Sequence, residues 1–257
     1  MPSQSLQPSK QMARPSIDEA EIKRLVKQRI EQEIYHPTHI AVIGKCGVGK
    51  TTTIKALFGL DWKISHTQAA TKKVQQTILE GPRGRLKISD LPGLGEDIDS
   101  EEGYRQVYAE VLSQCEVALF VLKADSRDMR DVQEILRDVV IKVNPQLTKR
   151  IVVGLNQVDL VYPGDWIESG NIPSEAQARN IQIIMRERTK SLKKIYPIRP
   201  SHIVPYSALK RYHLQQLFYA MIASTSGEPW ILNAKKSIAD WRELVDPGLL
   251  VKREDRK

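Results

Sequence analysis

One short segment constrains the fold of this chain more than any other feature of its sequence. Residues 44–51 are GKCGVGKT, which matches the pattern G-x-x-x-x-G-K-[ST] at every fixed position. An apolar segment at residues 39–43 precedes the motif, and a helix-forming segment at residues 50–58 runs out of it. In such a strand–turn–helix unit, backbone amides at the helix N-terminus converge on phosphate oxygens. The sequence therefore predicts a phosphate-binding loop.

Two side chains of this loop have predicted roles of their own. Lys50 is expected to reach the β- and γ-phosphates of a nucleotide, and the hydroxyl of Thr51 is expected to bind Mg²⁺. A glycine-rich turn without a ligand is the alternative, and the flanking strand and helix argue against it. The residues predicted to contact the nucleotide here are Gly44, Lys45, Cys46, Gly47, Val48, Gly49, Lys50, Thr51 and Thr52.

The rest of the chain alternates predicted strands and helices. Apolar or alternating segments predict strands at residues 39–43, 74–80, 85–89, 117–122, 151–155 and 203–206. Helices are predicted at residues 50–58, about 101–113, 129–143, 174–195 and 209–223. The alternating segment 74–80 is typical of an edge strand and can pair with the next strand as a hairpin. The prediction is an α/β doubly wound fold, with a mostly parallel six-stranded sheet and one antiparallel edge strand.

The predicted main domain covers residues 37–224 and has an extension on each side. Residues 1–15, rich in Ser, Pro and Gln, are expected to form a flexible tail. Residues 16–36 are expected to form a helix whose apolar face packs on the main domain. Residues 225–257 are expected to form a helical appendage and a charged tail.

Composition is typical of soluble globular proteins, since 41% of the residues are hydrophobic. No stretch approaches the roughly 20 apolar residues of a membrane span, and the first residues lack the apolar core of a secretory signal. The predicted location is therefore the cytoplasm. The formal net charge of +8 either favours anionic partners or is an ordinary solvated surface. Cys46 and Cys115 have neither metal-ligand nor disulfide spacing.

A second motif, DLPG at residues 90–93, follows the predicted strand 85–89. An acidic residue at the carboxyl end of a strand can hold Mg²⁺ through water, which makes Asp90 a predicted metal ligand. Gly93 leaves room for its amide to meet a γ-phosphate. D-x-x-G alone is a common turn, but the preceding strand and the distance from the phosphate loop favour the functional interpretation.

Two further motifs predict a site for the base. The motif NQVD at residues 156–159 follows the strand 151–155 directly. The carboxylate of Asp159 can accept hydrogen bonds from the ring N–H and the exocyclic amine of guanine, a pattern that adenine lacks. Asn156 is expected to brace the nucleotide loops. After the last strand, a backbone amide among Ser207, Ala208 and Leu209 can meet the guanine carbonyl oxygen.

The four motifs, in this order and each behind a strand, resemble the G domain of the translation-factor-related GTPases, and within them the Era-like branch. The segments GKCGVGKTT, SHTQAATKKVQ and DLPGLGE look like the stand-alone bacterial G domains grouped as YfjP-like or ribosome-binding-type GTPases. The resemblance spans about residues 38–224. It implies a P-loop G domain that binds GTP or GDP with Mg²⁺ and hydrolyses GTP as a conformational switch. The implied base-binding residues are Asn156, Gln157, Asp159, Ser207, Ala208 and Leu209.

The resemblance also implies a threonine that closes on Mg²⁺ and the γ-phosphate. Thr71 matches the usual T-[RK]-x-V pattern, and Thr67 is the alternative; either is a plain loop residue if the pattern is fortuitous. The implied catalytic residues are Lys50, Thr71 and Gly93. The implied metal ligands are Thr51, Thr71 and Asp90.

Three positions depart from the pattern of the family. Gln157 replaces a lysine whose stem covers one face of the purine, so we expect weaker affinity, with guanine selectivity kept by Asp159. Leu94 follows Gly93 where Ras-type proteins carry a water-orienting glutamine, so intrinsic hydrolysis is expected to be slow. Gly47 stands where potassium-activated relatives have asparagine, which argues against activation by a monovalent cation.

Slow hydrolysis leaves the means of activation open. A nucleotide-dependent homodimer or an activating protein is the expected route. Glu96, Asp97 and His66 lie in nearby loops and either orient water or are solvated. The alternative function is a non-catalytic module that binds GTP and assembles through its switch face. A P-loop ATPase is disfavoured by the motif at residues 156–159.

The predicted helix at residues 174–195 begins with a capping box formed by Ser174 and Gln177. Its outer face is basic, and neutralised phosphates drive nucleic-acid binding, so rRNA is a candidate partner. No aromatic side chains interleave with these charges, which favours an ordinary solvated helix, and both interpretations stay open. The basic residues of this face are Arg179, Arg186, Lys190 and Lys193.

Overall fold

The computed structural model of the chain describes Arg24 and residues 38–60, 74–81, 84–93, 101–126 and 129–225. The chain divides into two compact units, Met1–His36 and Pro37–Lys257. In the first unit only Arg24 is described, in helical conformation. The predicted tail, N-terminal helix and C-terminal appendage therefore lie outside the described residues, Arg24 excepted, and remain predictions.

A six-stranded sheet forms the centre of the second unit. Its strands are β1 (Thr38–Ile43), β2 (Gln75–Gly81), β3 (Gly84–Asp90), β4 (Val117–Lys123), β5 (Ile151–Asn156) and β6 (Ile203–Pro205). They lie in the order β2-β3-β1-β4-β5-β6, and each neighbouring pair is parallel except β2 and β3. β2 and β3 form the predicted hairpin, in which Gly81 pairs with Gly84. The predicted mostly parallel sheet with one antiparallel edge strand is confirmed.

Helices cover both faces of this sheet. The helices are α1 (Lys50–Phe58), α2 (Glu101–Gln114), α3 (Arg130–Glu134, continued by the π-helix Ile135–Ile141), α4 (Glu175–Leu192) and α5 (Leu214–Ala223). α1 and α5 pack on one face, and α2, α3 and α4 pack on the other. β1 shows why both faces need cover, because Ile40 and Val42 point into one core while Ala41 and Ile43 point into the other. Strands buried on both faces are apolar along their whole length, as this one is.

Three helices differ from their predictions, and one of them, α4, ends at Leu192 rather than at residue 195. The last helix begins at Leu214 rather than at residue 209, because Ser207 and Tyr212 form an antiparallel bridge and the residues Arg211 and His213 have positive φ. Left-handed residues do not continue a right-handed helix. The helix predicted at residues 129–143 is α-helical at its start and then widens into a π-helix.

The strand order determines where a ligand can bind. β1 lies between β3 and β4, so the chain builds the sheet outward from β1 in both directions. In doubly wound folds, ligands bind at the carboxyl ends of the strands beside such a switch point. The four sequence motifs follow β1, β3, β5 and β6 at that edge. Within the ranges described, no helix combines the length and apolarity needed to cross a bilayer.

Candidate nucleotide-binding site

The phosphate loop joins the carboxyl end of β1 to the first turn of α1. Gly49 caps α1 in a left-handed conformation (φ 92°, ψ 31°), and no side chain makes a capping hydrogen bond. The first turn of α1 also contains no acidic residue. Neither a capping side chain nor an acidic residue of this first turn therefore occupies its amides, and the helix dipole favours a negatively charged ligand. A helix N-terminus of this kind is suited to binding phosphate.

Lys50 lies inside this loop. Its Nζ donates hydrogen bonds to the carbonyl oxygens of Gly44 (3.1 Å) and Lys45 (3.1 Å), and the residue is buried. An ammonium group at this point can donate a charge-assisted hydrogen bond to a phosphate oxygen. The structure thus places the predicted catalytic lysine where the loop surrounds it.

Two glycines of the loop have no room for a side chain. A Cβ at Gly44 would lie 2.4 Å from the carbonyl oxygen of Val121, and one at Gly49 would lie 2.4 Å from Nδ2 of Asn156. Both glycines also have positive φ, as does Gly47 (73°), although the space around Gly47 is open. Residues with side chains rarely adopt such backbone angles. The loop therefore needs glycine at residues 44 and 49 on steric and backbone grounds, and at residue 47 on backbone grounds alone.

Thr51 and Asp90 meet beside the phosphate loop. The Thr51 hydroxyl donates a hydrogen bond of 2.5 Å to Oδ2 of Asp90, whereas Oδ1 of this fully buried carboxylate has no partner. Burial raises the pKa of Asp90, opposed by the Thr51 hydrogen bond and the positive charge of Lys50. A buried carboxylate oxygen without a partner beside a hydroxyl fits Mg²⁺, which takes oxygen ligands. No three His, Cys, Asp or Glu side chains cluster within the described ranges. Phosphate and water oxygens would therefore complete the coordination.

The loop after β3 packs against the phosphate loop. A Cβ at Gly93 would lie 2.8 Å from Cα of Cys46 and 2.9 Å from its nitrogen, so only glycine fits there without a shift. On its other side this loop is held by Tyr108 of α2, which is fully buried and donates its hydroxyl hydrogen bond to the Pro92 carbonyl at 2.6 Å. No sequence motif predicts this contact, because Tyr108 occupies an ordinary core position of α2.

Asn156 connects three parts of the site. Its Nδ2 donates a hydrogen bond of 2.9 Å to the carbonyl oxygen of Val48 in the phosphate loop. Its Oδ1 accepts one of 3.0 Å from the amide of Ala208, after β6. One buried side-chain amide at the end of β5 therefore links the phosphate loop to the loop that follows the last strand.

The bond between Asn156 and the Ala208 amide limits which backbone amide among residues 207–209 can contact the guanine carbonyl oxygen. The amide of Ala208 is already used by Asn156, and the amide of Ser207 donates to the carbonyl oxygen of Tyr212 at 3.1 Å. Leu209 is 78% exposed and its amide takes part in neither bond. Of the three predicted residues, Leu209 therefore offers the amide that is available to a guanine carbonyl oxygen.

Asp159 is the residue predicted to recognise guanine. It lies in the short 3₁₀ turn Val158–Leu160, directly after β5, and it is 7% exposed. Its Oδ1 is buried without a hydrogen-bond partner. A buried carboxylate oxygen without a partner is costly. The two neighbouring N–H groups on the edge of guanine would satisfy this carboxylate.

Gln177 of α4 holds the turn that carries Asp159. Its Nε2 donates to the carbonyl oxygens of Val158 (3.3 Å), Asp159 (2.9 Å) and Val161 (2.9 Å), and the residue is fully buried. In the predicted capping box, Ser174 accepts the backbone N–H of Gln177 as expected, at 3.1 Å. The other half of the box is wrong, since the Gln177 amide group does not return to the N-cap. Leaving buried carbonyl oxygens unpaired costs more free energy than leaving the N–H of an N-cap residue to hydrogen-bond with water.

Gln157 lies between the base loop and the phosphate loop. Its backbone is left-handed (φ 63°), and its Nε2 lies 3.5 Å from the carbonyl oxygen of Gly47. At that distance a hydrogen bond is weak. The glutamine thus reaches the phosphate loop without holding it firmly, whereas a lysine stem would extend further across the site.

Other predicted residues fall outside the described part of the chain. They are His66, Thr67, Thr71, Leu94, Glu96 and Asp97. The identity of the switch threonine and of any group that orients water therefore remain predictions.

Four of the basic side chains on and just after α4 are exposed, as predicted: Arg179, Arg186, Lys190 and the C-cap residue Lys193. Arg188 of the same helix is partly buried and donates to the carbonyl oxygen of Ser126. Arg179 forms an i,i+4 ion pair of 3.0 Å with Glu175, and both side chains are mostly exposed. Exposed pairs of this kind contribute little to stability. The face is therefore accessible to an anionic partner.

Comparison with known proteins places this geometry among GTPases. Residues 39–157 match the family model described as 50S ribosome-binding GTPase. The uncharacterized protein YfjP of Escherichia coli (strain K12) is 30% identical over 161 residues, which cover 61% of this chain and 54% of YfjP. YkfA of the same strain is 29% identical over 168 residues, which cover 63% of this chain and 56% of YkfA. The chain thus spans about half the length of these curated relatives.

A solved structure shows the same fold. Era in complex with MgGDPNP and nucleotides 1506–1542 of 16S ribosomal RNA is 24% identical to this chain, with a TM-score of 0.57. The alignment covers 75% of this chain and 58% of that chain. At this identity the likeness shows the fold. Together, the matches confirm the predicted resemblance to the G domains of the Era-like and YfjP-like proteins.

Proposed function

Because this chain carries a P-loop GTPase domain, we propose that it binds GTP with Mg²⁺, hydrolyses the GTP slowly and acts as a conformational switch. The products are GDP and phosphate, and the two nucleotide states differ by the γ-phosphate. This proposal names a reaction and a mode of action, and it applies to the G domain in residues 37–224.

One observation carries the proposal: two buried carboxylates at the same edge of the sheet each have an oxygen without a partner. Asp90 is the last residue of β3, beside Thr51 and the phosphate loop, and Asp159 lies after β5. A buried carboxylate oxygen without a partner destabilises the folded protein, and a ligand that pairs with this oxygen removes that cost. Mg²⁺ at the first and guanine at the second would meet both needs with one nucleotide.

Each residue then has a defined role. Lys50 and the amides at the start of α1 bind the phosphates, and Thr51 and Asp90 hold the metal. Mg²⁺, when bound, would neutralise charge on the β- and γ-phosphate oxygens. Gly93 and Thr71 meet the γ-phosphate, and Asp159 reads the base, with Asn156 holding the loops together. Leu94 leaves the position after Gly93 without a polar side chain, so nothing there orients water and hydrolysis is slow.

The binding part is tested by calorimetric titration of nucleotide-free protein with GDP, GTP and ATP in Mg²⁺. We expect guanine nucleotides to bind and ATP to show no binding at the same concentration. Lys50→Met should weaken GDP and GTP binding about a hundredfold, because charge-assisted contacts to phosphate are lost. Lys55→Met, in the last turn of the same helix, is the matched control and should bind as the wild type does. Equal binding of ATP would overturn the guanine assignment.

The hydrolysis part is tested by measuring turnover per molecule over a range of protein concentrations. A turnover that rises with concentration supports activation by a homodimer. A slow turnover that stays constant supports activation by another protein. Bound GTP that is never hydrolysed would contradict the enzymatic proposal and favour the alternative, a binding module that assembles through its switch face.

Two broader expectations belong with this proposal. The exposed basic face of α4 has the charge to bind phosphates of RNA, and the solved Era complex contains 16S ribosomal RNA. An rRNA fragment whose binding weakens steeply with salt, and weakens further when Arg186 and Lys190 are both replaced by Ser, would support it. Cytoplasmic location is checked by fractionation of cells that express the chain.

A further inference from the structure

The hydroxyl of Tyr108 contacts the loop after β3 at one specific peptide group. Tyr108 lies in the middle of α2 and is fully buried, and its hydroxyl donates to the carbonyl oxygen of Pro92 at 2.6 Å. That carbonyl and the N–H of Gly93 belong to the same planar peptide group. Holding one end of this group therefore sets the direction of the other.

The two ends of this peptide group face opposite ways. In a trans peptide the C=O and N–H bonds point in opposite directions, and the cis bond found in the described residues is elsewhere, at Tyr162-Pro163. With the Pro92 oxygen turned toward α2 and the apolar core, the N–H of Gly93 points away from α2. Gly93 itself lies against Cys46 of the phosphate loop. The Gly93 end of this peptide group therefore lies beside the phosphate loop.

We propose that Tyr108 is a positioning residue for the γ-phosphate: its hydroxyl orients the Pro92–Gly93 peptide so that the Gly93 amide is ready to donate to GTP. The same bond links the γ-phosphate to α2. When the amide is drawn toward the phosphate, the carbonyl moves with it and pulls on the Tyr108 hydroxyl. This inference rests on the proposed GTP binding and adds the element that distinguishes GTP from GDP.

A purely structural role for Tyr108 predicts something different. The aromatic ring belongs to the same buried hydrophobic cluster as Leu91 and Leu112, and its packing there uses no hydrogen bond to the loop. Loss of packing would lower stability and would weaken GDP and GTP binding to the same extent. Loss of the hydroxyl alone should affect the nucleotide that carries a γ-phosphate.

The test is Tyr108→Phe, which keeps the ring and removes the hydroxyl. We expect the affinity for a non-hydrolysable GTP analogue to fall about fivefold, the change that one hydrogen bond of about 1 kcal/mol produces, while GDP affinity is unchanged. Tyr196→Phe is the matched control, because Tyr196 is buried in the same core and its hydroxyl has no hydrogen-bond partner. Tyr196→Phe should leave both affinities as they are.

Two results would overturn the proposal. In the first, the ratio of the GTP-analogue affinity to the GDP affinity stays at the wild-type value in Tyr108→Phe, whether or not both affinities fall. In the second, Tyr196→Phe shifts this ratio as much as Tyr108→Phe does. If Tyr108→Phe does not fold, the NMR chemical shift of the Gly93 amide is measured in the wild-type protein instead. When GDP is exchanged for the non-hydrolysable GTP analogue, this amide must shift more than the other glycine amides of the site. A wild-type protein that binds neither nucleotide would instead contradict the proposed function itself.

Discussion

The half of the site that faces the base and the half that faces the γ-phosphate are held in different ways. Around the base, Gln177 bonds three backbone carbonyls and Asn156 bonds two loops, all from buried positions. Around the γ-phosphate, the described contact between α2 and the loop after β3 is the hydroxyl of Tyr108. The bonds around the base hold parts of the site that GDP and GTP would contact alike, whereas the Tyr108 bond holds the peptide group that would meet the γ-phosphate.

This difference has a measurable consequence. Substitutions in the base half should weaken the binding of GDP and GTP to the same extent, because both nucleotides carry the same base. Substitutions in the γ-phosphate half should weaken the binding of GTP alone. The ratio of the two affinities therefore reports which half a substitution affects.

The largest effect is expected for Asp159→Asn. An amide in place of the carboxylate loses the guanine contacts and presents a donor that suits the second carbonyl of xanthine. GDP and GTP should weaken together about a hundredfold, and xanthosine diphosphate should bind more tightly than GDP, as nucleotide titrations would show.

Asp165→Asn provides the matched control for this change, since Asp165 is exposed, bonds Ser174 and lies away from the base loop in sequence. It should leave base preference unchanged. A variant at residue 159 that still prefers GDP over xanthosine diphosphate would remove Asp159 from base recognition.

A smaller effect is expected for Gln177→Met, which keeps the length of the side chain and removes its donors. The turn that carries Asp159 would lose three hydrogen bonds, and the carboxylate would no longer be held in place. We expect the affinities for GDP and GTP to fall about tenfold alike. The preference for GDP over inosine diphosphate, which lacks the exocyclic amine, should also become smaller.

Gln133→Met is the control for loss of a partly buried side-chain amide. Gln133 of α3 donates to the carbonyl oxygen (3.0 Å) and hydroxyl (2.9 Å) of Ser191, and does not contact the base loop. Thermal unfolding of both variants separates stability from binding. An unchanged preference over inosine diphosphate in Gln177→Met would show that Asp159 keeps its place without Gln177.

The smallest effect is expected for Gln157→Lys. The amide of Gln157 lies 3.5 Å from the Gly47 carbonyl oxygen, and a lysine stem would reach across the purine and the phosphate loop. GDP and GTP should bind about threefold more tightly, again to the same extent, which competition titrations resolve. A gain for GTP alone would break the comparison, because it would connect the base half to the γ-phosphate.

Much of the scaffold was predictable because it depends on local patterns. The helix at residues 50–58 was predicted with the bounds that the structure has, since the phosphate loop determines its start and Gly59 ends it in a left-handed conformation. Buried strands read as apolar runs, so their positions were predictable to within one or two residues. The last helix was wrong by five residues, from 209 to 214, because the Ser207–Tyr212 bridge depends on tertiary packing that helix propensity does not contain.

The sequence by itself determined the motifs, their order along the chain and the identity of the side chains that would meet phosphate, metal and base. A motif specifies chemistry through residue types and spacing, and both are visible in one dimension. Tertiary structure decided which side chains hold the motifs in place. Gln177 was predicted to close a capping box, and Tyr108 carried no prediction from the sequence. Their bonds to distant carbonyls exist because folding buries those carbonyls and leaves them in need of a donor.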